Sequence, residues 1–397
     1  MYTLLLVLIY IAFISLGLPD SLLGSGWPVM HGDLQVPVSY MGIVTMIISA
    51  GTVVSSLCSY RLTKKLGTPV VTVGSVFLTA VALLGFSFAN QFWMLLVLAV
   101  PYGLGAGAID AALNNYVALH YTSRHMSWLH CFWGVGTIVS PFVMSWSLTT
   151  ASWHTGYRTI GLIQLGIAVL LLLTLGVWKV NPPKEDTSAQ AKGLISALKI
   201  RGVPALLLGF LSYCAAEATT MSWASTYLVE SRNIDPERAA QFASLFFIGI
   251  TAGRFLGGFL MNKLGDWKMI VLGTVILACG VAALVLPVPG EVLPLAGLVI
   301  IGLGCAPIYP CIIHATPANF GPENSAAIIG IQMASAYVGS TFGPPLFGLL
   351  GNHVSFGLFP LYVAAFAALM VCMTGTAFRL ARGEKGSEKG SEKGSEE

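Results

Sequence analysis

The sequence predicts an all-α membrane protein of twelve transmembrane helices, arranged as two six-helix bundles related by pseudo-two-fold symmetry. Three observations predict it. Hydrophobic residues make up 55% of the 397 and charged residues only 9%, where a soluble domain carries about 25% charged. Apolar segments long enough to cross a hydrocarbon core of ~30 Å recur along the chain. The first half of these segments is echoed in the second.

The segments fall at 3–26, 38–60, 69–89, 92–119, 126–149, 158–180, 204–229, 239–262, 268–287, 292–315, 325–350 and 356–379. Lipid offers no partner to exposed backbone N–H and C=O groups, so the segments are helices. The first run has no basic stretch before it and leads into a polar GLPDS patch. It reads as a span and not a cleaved signal. The net charge of +3 says little, because distribution orients a membrane protein. Arg61, Lys64, Lys65, Arg124, Lys179, Lys184, Lys192, Lys199, Arg201, Lys263, Lys268, Arg379 and Arg382 fall on one side of a twelve-span map. Arg158, Arg232 and Arg238 fall on the other. The excess of basic residues then places both termini in the cytoplasm, in a cell inner membrane or plasma membrane.

Four regions follow: a first bundle over 1–180, a cytoplasmic linker over 181–202, a second bundle over 203–382 and a tail over 383–397. The linker is the one long polar interruption, with a short interfacial helix expected at Lys192–Ile200. The G-S-E-K repeats of the tail cannot build a core, so it is expected to be disordered. Seven cysteines, mostly inside apolar runs, read as reduced packing residues.

The repeat is visible in register. Leu66-Gly67 matches Leu264-Gly265, PYGLGAG at 101–107 matches IIGLGCA at 300–306, and VGTIVSP at 135–141 matches VGSTFGP at 338–344. Asp20 in span one aligns with Glu217 in span seven. An acid inside a span is expensive and marks a function unless it only ties helices together. Asp20 follows Gly17 and Pro19, so span one is expected to break there. The other reading is an interfacial acid at the outer end of a short span. Asp110 lies deep in span four, with Gly103, Gly107 and Asn114 on its face by helical spacing. Glu217 shares a face with Tyr213, Thr220 and Met221, and an acid there either lines a cavity or bonds to a neighbouring helix. His130, Trp133 and Thr137 share a face of span five. Sugar sites mix aromatic platforms with amides and hydroxyls, and Asn114, Asn115, His130, Trp133, Tyr213, Trp223, Tyr309, Gln332 and Tyr337 make up such a set; each aromatic alone also fits packing. Arg254, inside span eight, either neutralises an acid or snorkels. With Arg61, Lys65 and Lys263 it is assigned a gating role.

In these features the chain resembles the major facilitator superfamily, whose parallel six-span repeats hold a solute site between the halves. The basic loop after span two resembles that superfamily's signature loop, with Thr63 and Lys64 where an acid is usual. The second copy, GRFLGGFLMNKLGDWK, has Asn262 there. Within the superfamily, LPDSLL, GAGAIDAALNNY and YCAAEATTMSW resemble the fucose permease group of sugar:cation symporters, while span five differs. The resemblance implies a secondary transporter working by alternating access, with Asp20, Asp110 and Glu217 as candidate proton-coupling acids. It implies a sugar or similar small polar solute, H⁺ or Na⁺ as coupling ion, the lipid bilayer as surroundings, and a monomer. No cofactor, metal or nucleic acid is expected. An exporter of drugs or metabolites, an uncoupled uniporter and a receptor that binds without transporting stay open as alternatives. An enzyme is not expected. His120, His125 and His130 are five residues apart, so successive rings lie ~140° apart around a helix and cannot share one ion. HExxH, GxSxG and P-loop motifs are absent from the sequence.

Overall fold

The computed structural model describes residues 2–37, 40–178, 194–234, 236–286 and 290–393, which form helices joined by short turns, with no strand among them. The chain divides into two compact units. The first holds Met1–Tyr116 and Trp128–Ala189; the second holds Val117–Ser127 and Gln190–Glu397. The short stretch between spans four and five therefore belongs to the second unit, where the sequence reading assigns it to the first.

In order, the first helices are α1 (Tyr2–Gly17), α2 (Leu22–Asp33), α3 (Met41–Leu66), α4 (Thr68–Phe86) and α5 (Phe92–His120). There follow α6 (Ser123–Thr150), α7 (Trp153–Leu173) and the single turn α8 (Leu175–Trp178). Beyond the linker come α9 (Leu194–Leu198), α10 (Val203–Arg232), α11 (Pro236–Leu264) and α12 (Asp266–Val285). The chain then forms α13 (Val292–Cys305), α14 (Ile308–Phe320), α15 (Pro322–His353) and α16 (Phe359–Lys393). The helix expected at Lys192–Ile200 is seen as α9; residues 181–193 of the linker lie outside the described residues.

Eleven segments among the described residues are long and apolar enough to cross a membrane. The expected span at 325–350 is not one of them, although α15 has 32 residues. It carries Ser325, Gln332, Ser335, Tyr337, Ser340 and Thr341, which lower its apolarity while Ser325 and Gln332 are buried against protein. Length and the repeat, not hydropathy, identify it as the twelfth. The tail also differs from expectation: α16 continues as helix through Lys393, and 394–397 lie outside the described residues.

The repeat shows in how helices meet. Gly67 ends α3 at φ +80° and Gly265 ends α11 at φ +78°, a positive-φ stop that glycine adopts without strain. In the first unit Gly51 of α3 meets Gly103 of α5; in the second Gly249 of α11 meets Gly302 of α13. Gly136 of α6 lies against the Ile14 carbonyl, and Gly339 of α15 against the Leu211 carbonyl. Small residues at crossings let helices approach closely, which is how they pack where lipid removes the usual hydrophobic drive. The hydroxyls of Ser55, Ser56 and Ser59 on α3 donate to the carbonyls of Gly103, Gly107 and Ala108 on α5, at 3.3, 3.1 and 3.1 Å.

Candidate functional site

The break expected in span one is present at Leu18–Ser21, between α1 and α2. Its cause is Pro19. A continuous helix would bond the N–H of residue 19 to the carbonyl of Ser15, and proline has no N–H. That carbonyl takes its hydrogen bond from the Gln164 side-chain amide of α7. A buried carbonyl needs such a partner, so Gln164 is what lets the break exist inside a span. The sequence reading did not single out Gln164.

Asp20 sits in the break and its side chain is exposed. Trp133 Nε1 on α6 donates to Asp20 Oδ2 at 2.9 Å, and the Tyr102 hydroxyl on α5 to Oδ1 at a long 3.4 Å. Both donors are neutral. Gly17 places this corner against α6: a Cβ there would collide with the Trp133 carbonyl oxygen. The sequence reading found Asp20 and Trp133 but not Tyr102, whose only signal was its place beside Pro101 at the head of the Gly-rich stretch. A cavity lined by Ser15, Pro19, Thr79, Tyr102 and Ala106 lies next to the break.

Asp110 is set differently. It is buried on α5, and Asn114 Nδ2 donates to its carboxylate at 2.8 Å and to its backbone carbonyl at 3.0 Å. The shared face read from the i and i+4 spacing thus becomes a bond within one helix. Asn114 is fully enclosed, as is Gln332 of α15, whose amide oxygen accepts from Thr316 on α14 at 3.0 Å. Asn114 thus bonds within α5, while Gln332 ties α15 to α14, as a buried amide is stabilised by a partner in reach. Asn115 and Tyr337 are half-buried. His130 is buried with its ring stacked 5.6 Å from that of Phe13.

In the second unit Glu217 of α10 pairs with Arg254 of α11 at 3.2 Å, both largely buried. Arg254 therefore neutralises an acid and does not snorkel. Arg61, Lys65 and Lys263 are exposed near the ends of α3 and α11. Tyr213 is buried and donates to the Cys305 carbonyl at 2.9 Å, where α13 gives way to α14 at Pro307. Tyr309, half-buried, faces Tyr213 with ring centres 6.1 Å apart and points its hydroxyl at Met333 Sδ, 3.3 Å away. Trp223 donates to the Pro344 carbonyl at 2.8 Å and stacks on Phe356, so its ring is engaged in packing.

One cluster was not foreseen from sequence: Asp266, His314 and Ser123 lie within hydrogen-bond distance of one another. These residues come from three distant stretches of chain, and only the fold brings them together.

The comparisons agree with this architecture. The sequence profile of the Major Facilitator Superfamily matches residues 9–339. An uncharacterized MFS-type transporter of Yersinia pestis is 23% identical over 83% of this chain and 85% of its own length. The glucose/mannose transporter GlcP of Bacillus subtilis is 22% identical over 76% of each. Among solved structures, FucP in the outward conformation superposes with TM-score 0.78 at 18% identity, over 94% of this chain and 98% of that one. A second structure, of the E. coli fucose:proton symporter FucP, gives TM-score 0.76 at 18% identity over 95% and 99%.

Proposed function

Because this chain belongs to the major facilitator superfamily, it is a multi-pass membrane transporter, and we propose that it carries a sugar or a similar small polar solute together with a proton by alternating access. The observation that carries the reading is the span-one break with Asp20 exposed in it, held by the neutral donor Trp133 and approached by the Tyr102 hydroxyl. A proton carrier inside a membrane protein needs an acid that water can reach and whose charge no fixed cation cancels. Asp20 meets both conditions. Glu217, paired with Arg254, meets neither as well. Asp110 is enclosed and tied to Asn114, which suits a role in holding α5 or in sensing solute at one remove. Two names support sugar and proton: the B. subtilis relative is a glucose/mannose transporter and the E. coli fold neighbour a fucose:proton symporter.

The mechanism rests on charge. Burial disfavours the ionised form of a carboxylate, so an ionised Asp20 resists passing through a closed state. A proton removes the charge, and solute hydroxyls occupy the donors and acceptors that closure would otherwise strand. Proton and solute together permit the change of access; the empty ionised carrier is held back. Trp133 gives an aromatic face beside the acid, as a sugar's C–H surface requires. In this reading the termini are cytoplasmic and the protein acts as a monomer.

The test is reconstitution into proteoliposomes with a panel of hexoses and pentoses, with and without an imposed pH gradient. Accumulation of a sugar that depends on the gradient is expected. Asp20→Asn should still exchange that sugar across the bilayer but fail to concentrate it. If Asp20→Asn, Asp110→Asn and Glu217→Gln all concentrate solute under a pH gradient, proton coupling through these acids is wrong. Gradient-driven efflux of hydrophobic cations, with no sugar movement, would instead mark an exporter.

A further inference from the structure

The Asp266–His314–Ser123 cluster lies within the second unit, where the stretch Val117–Ser127 meets α11, α12 and α14. His314 Nδ1 is 2.8 Å from Asp266 Oδ2 and 3.0 Å from Ser123 Oγ, while Ser123 Oγ donates to Asp266 Oδ1 at 2.5 Å. His314 Nε2 is 3.0 Å from the backbone carbonyl of Tyr121. A hydrolytic triad needs serine and carboxylate on opposite ring nitrogens; here both approach Nδ1, so nucleophilic chemistry is excluded by geometry. What the arrangement demands is a proton. A carbonyl oxygen and a carboxylate only accept, so each ring nitrogen must donate, and a neutral imidazole carries one N–H. Only the doubly protonated ring satisfies both contacts.

We propose that His314 is a proton-binding site whose charged ring clamps the α5–α6 connection onto α12 and α14. The clamp has further contacts: Arg124 Nε donates to the Gly258 carbonyl at 3.2 Å and Ser127 Oγ to the Arg254 carbonyl at 2.6 Å. The ionisable groups around His314 are Asp266 on α12, Cys311 on α14 beside Asp266, and His125 on α6, which has Arg124 next to it. Asp266 is the acid within hydrogen-bond distance of the ring, and His125 is engaged with the Thr122 hydroxyl at 3.0 Å. In the unclamped form Asp266 stays beside Nδ1 and a neutral ring donating to it suffices; the clamped form adds the Tyr121 carbonyl at Nε2 and so needs the second N–H. Linkage therefore tightens the clamp as pH falls and loosens it as pH rises, by up to about tenfold per pH unit for one proton. The site is separate from Asp20 and needs no assumption about the solute.

The test is hydrogen–deuterium exchange of the intact protein in detergent, followed by mass spectrometry of peptides covering 117–127. Rates at about pH 6 and about pH 8, the range where histidine changes charge, are corrected for intrinsic amide exchange. Protection should fall several-fold from the lower to the higher pH in the native chain. His314→Gln should show low protection at both, and His125→Gln should keep the native dependence. If His314→Gln does not fold, Asp266→Asn must lose the dependence in its place. Corrected protection that is flat in the native chain, or a dependence that survives His314→Gln, overturns the clamp.

Discussion

Asp20 in the first half and Glu217 in the second occupy matching points of the repeat, yet they have opposite surroundings. The register that pairs Gly67 with Gly265 pairs Ser56 with Arg254. The one that pairs Gly103 with Gly302 pairs Tyr102 with Ile301, and the one that pairs Gly136 with Gly339 pairs Trp133 with Ala336. The backbone contacts at those glycines are conserved between halves: Gly51 with Gly103 and Gly249 with Gly302, Gly136 on Ile14 and Gly339 on Leu211. The side chains around the acid are exchanged. In the first half the helix breaks at Pro19, the acid is exposed, and its donors are an indole and a phenol. In the second the helix runs on as α10, the acid is largely buried, and its partner is a cation. One scaffold is built twice; its acid is set once among neutral donors and once against a cation.

The largest expected effect breaks the anchor. Arg254→Met leaves Glu217 buried without its cation, and removing one partner of a buried pair costs about 3–5 kcal/mol. Thermal unfolding in detergent should show this variant strongly destabilised or not recovered folded. The double variant Arg254→Met/Glu217→Met should regain much of the loss, because a matched apolar pair leaves no stranded charge. Asp20→Asn, at the exposed site, should unfold close to the native chain. Equal destabilisation by Arg254→Met and Asp20→Asn would dissolve the contrast between the halves.

A second measurement asks whether the scaffold is as equivalent as the contacts suggest. A Cβ at Gly136 would strike the Ile14 carbonyl and one at Gly339 the Leu211 carbonyl. Overpacking of this kind costs about 1–3 kcal/mol. Gly136→Ala and Gly339→Ala should therefore lower the unfolding midpoint by similar amounts. A loss confined to one of them would mean that the two crossings differ in how far they can yield.

Much of this was legible in the sequence, for reasons that can be named. Spans were legible because lipid forces long apolar helices, and the break at Pro19 because proline lacks a donor. The repeat was legible because glycines at close crossings leave few substitutes. The twelfth span was legible only through the repeat, since Gln332 and its hydroxyl neighbours lower its apolarity. Partners were not legible. Nothing local to Glu217 says that Arg254 is its counter-ion, or that Asn114 spends its amide on Asp110 and Gln332 its oxygen on Thr316. The same holds for Gln164 and the Ser15 carbonyl, and for Asp266, His314 and Ser123. A hydrogen bond between distant stretches depends on helix rotation and depth to within an ångström, which periodicity alone does not fix.

A smaller effect concerns the indole. Trp133→Phe keeps the aromatic face but removes the N–H to Asp20. A hydrogen bond to a charged group is worth about 1.5–3 kcal/mol, less where water can replace the donor, and Asp20 is exposed. The variant should stay folded and keep exchange, with gradient-driven uptake reduced several-fold. The reverse change, Ala336→Trp in the second half, should give no new coupling, because Arg254 already holds Glu217.

The smallest effect is expected at Tyr102. Its hydroxyl stands 3.4 Å from Asp20 Oδ1, beyond the usual range for an O–H···O bond. Tyr102→Phe removes that oxygen and leaves the buried ring in place, so packing is kept. The hydroxyl lies close to the carboxylate without holding it, and its loss should change uptake by less than twofold and leave the unfolding midpoint unmoved. Trp133→Phe and Tyr102→Phe compared in one vesicle preparation then rank the two donors. If Tyr102→Phe proves the more damaging, the long contact tightens at some stage of the transport cycle, and Tyr102 rather than Trp133 is the group that positions Asp20 when it takes up its proton.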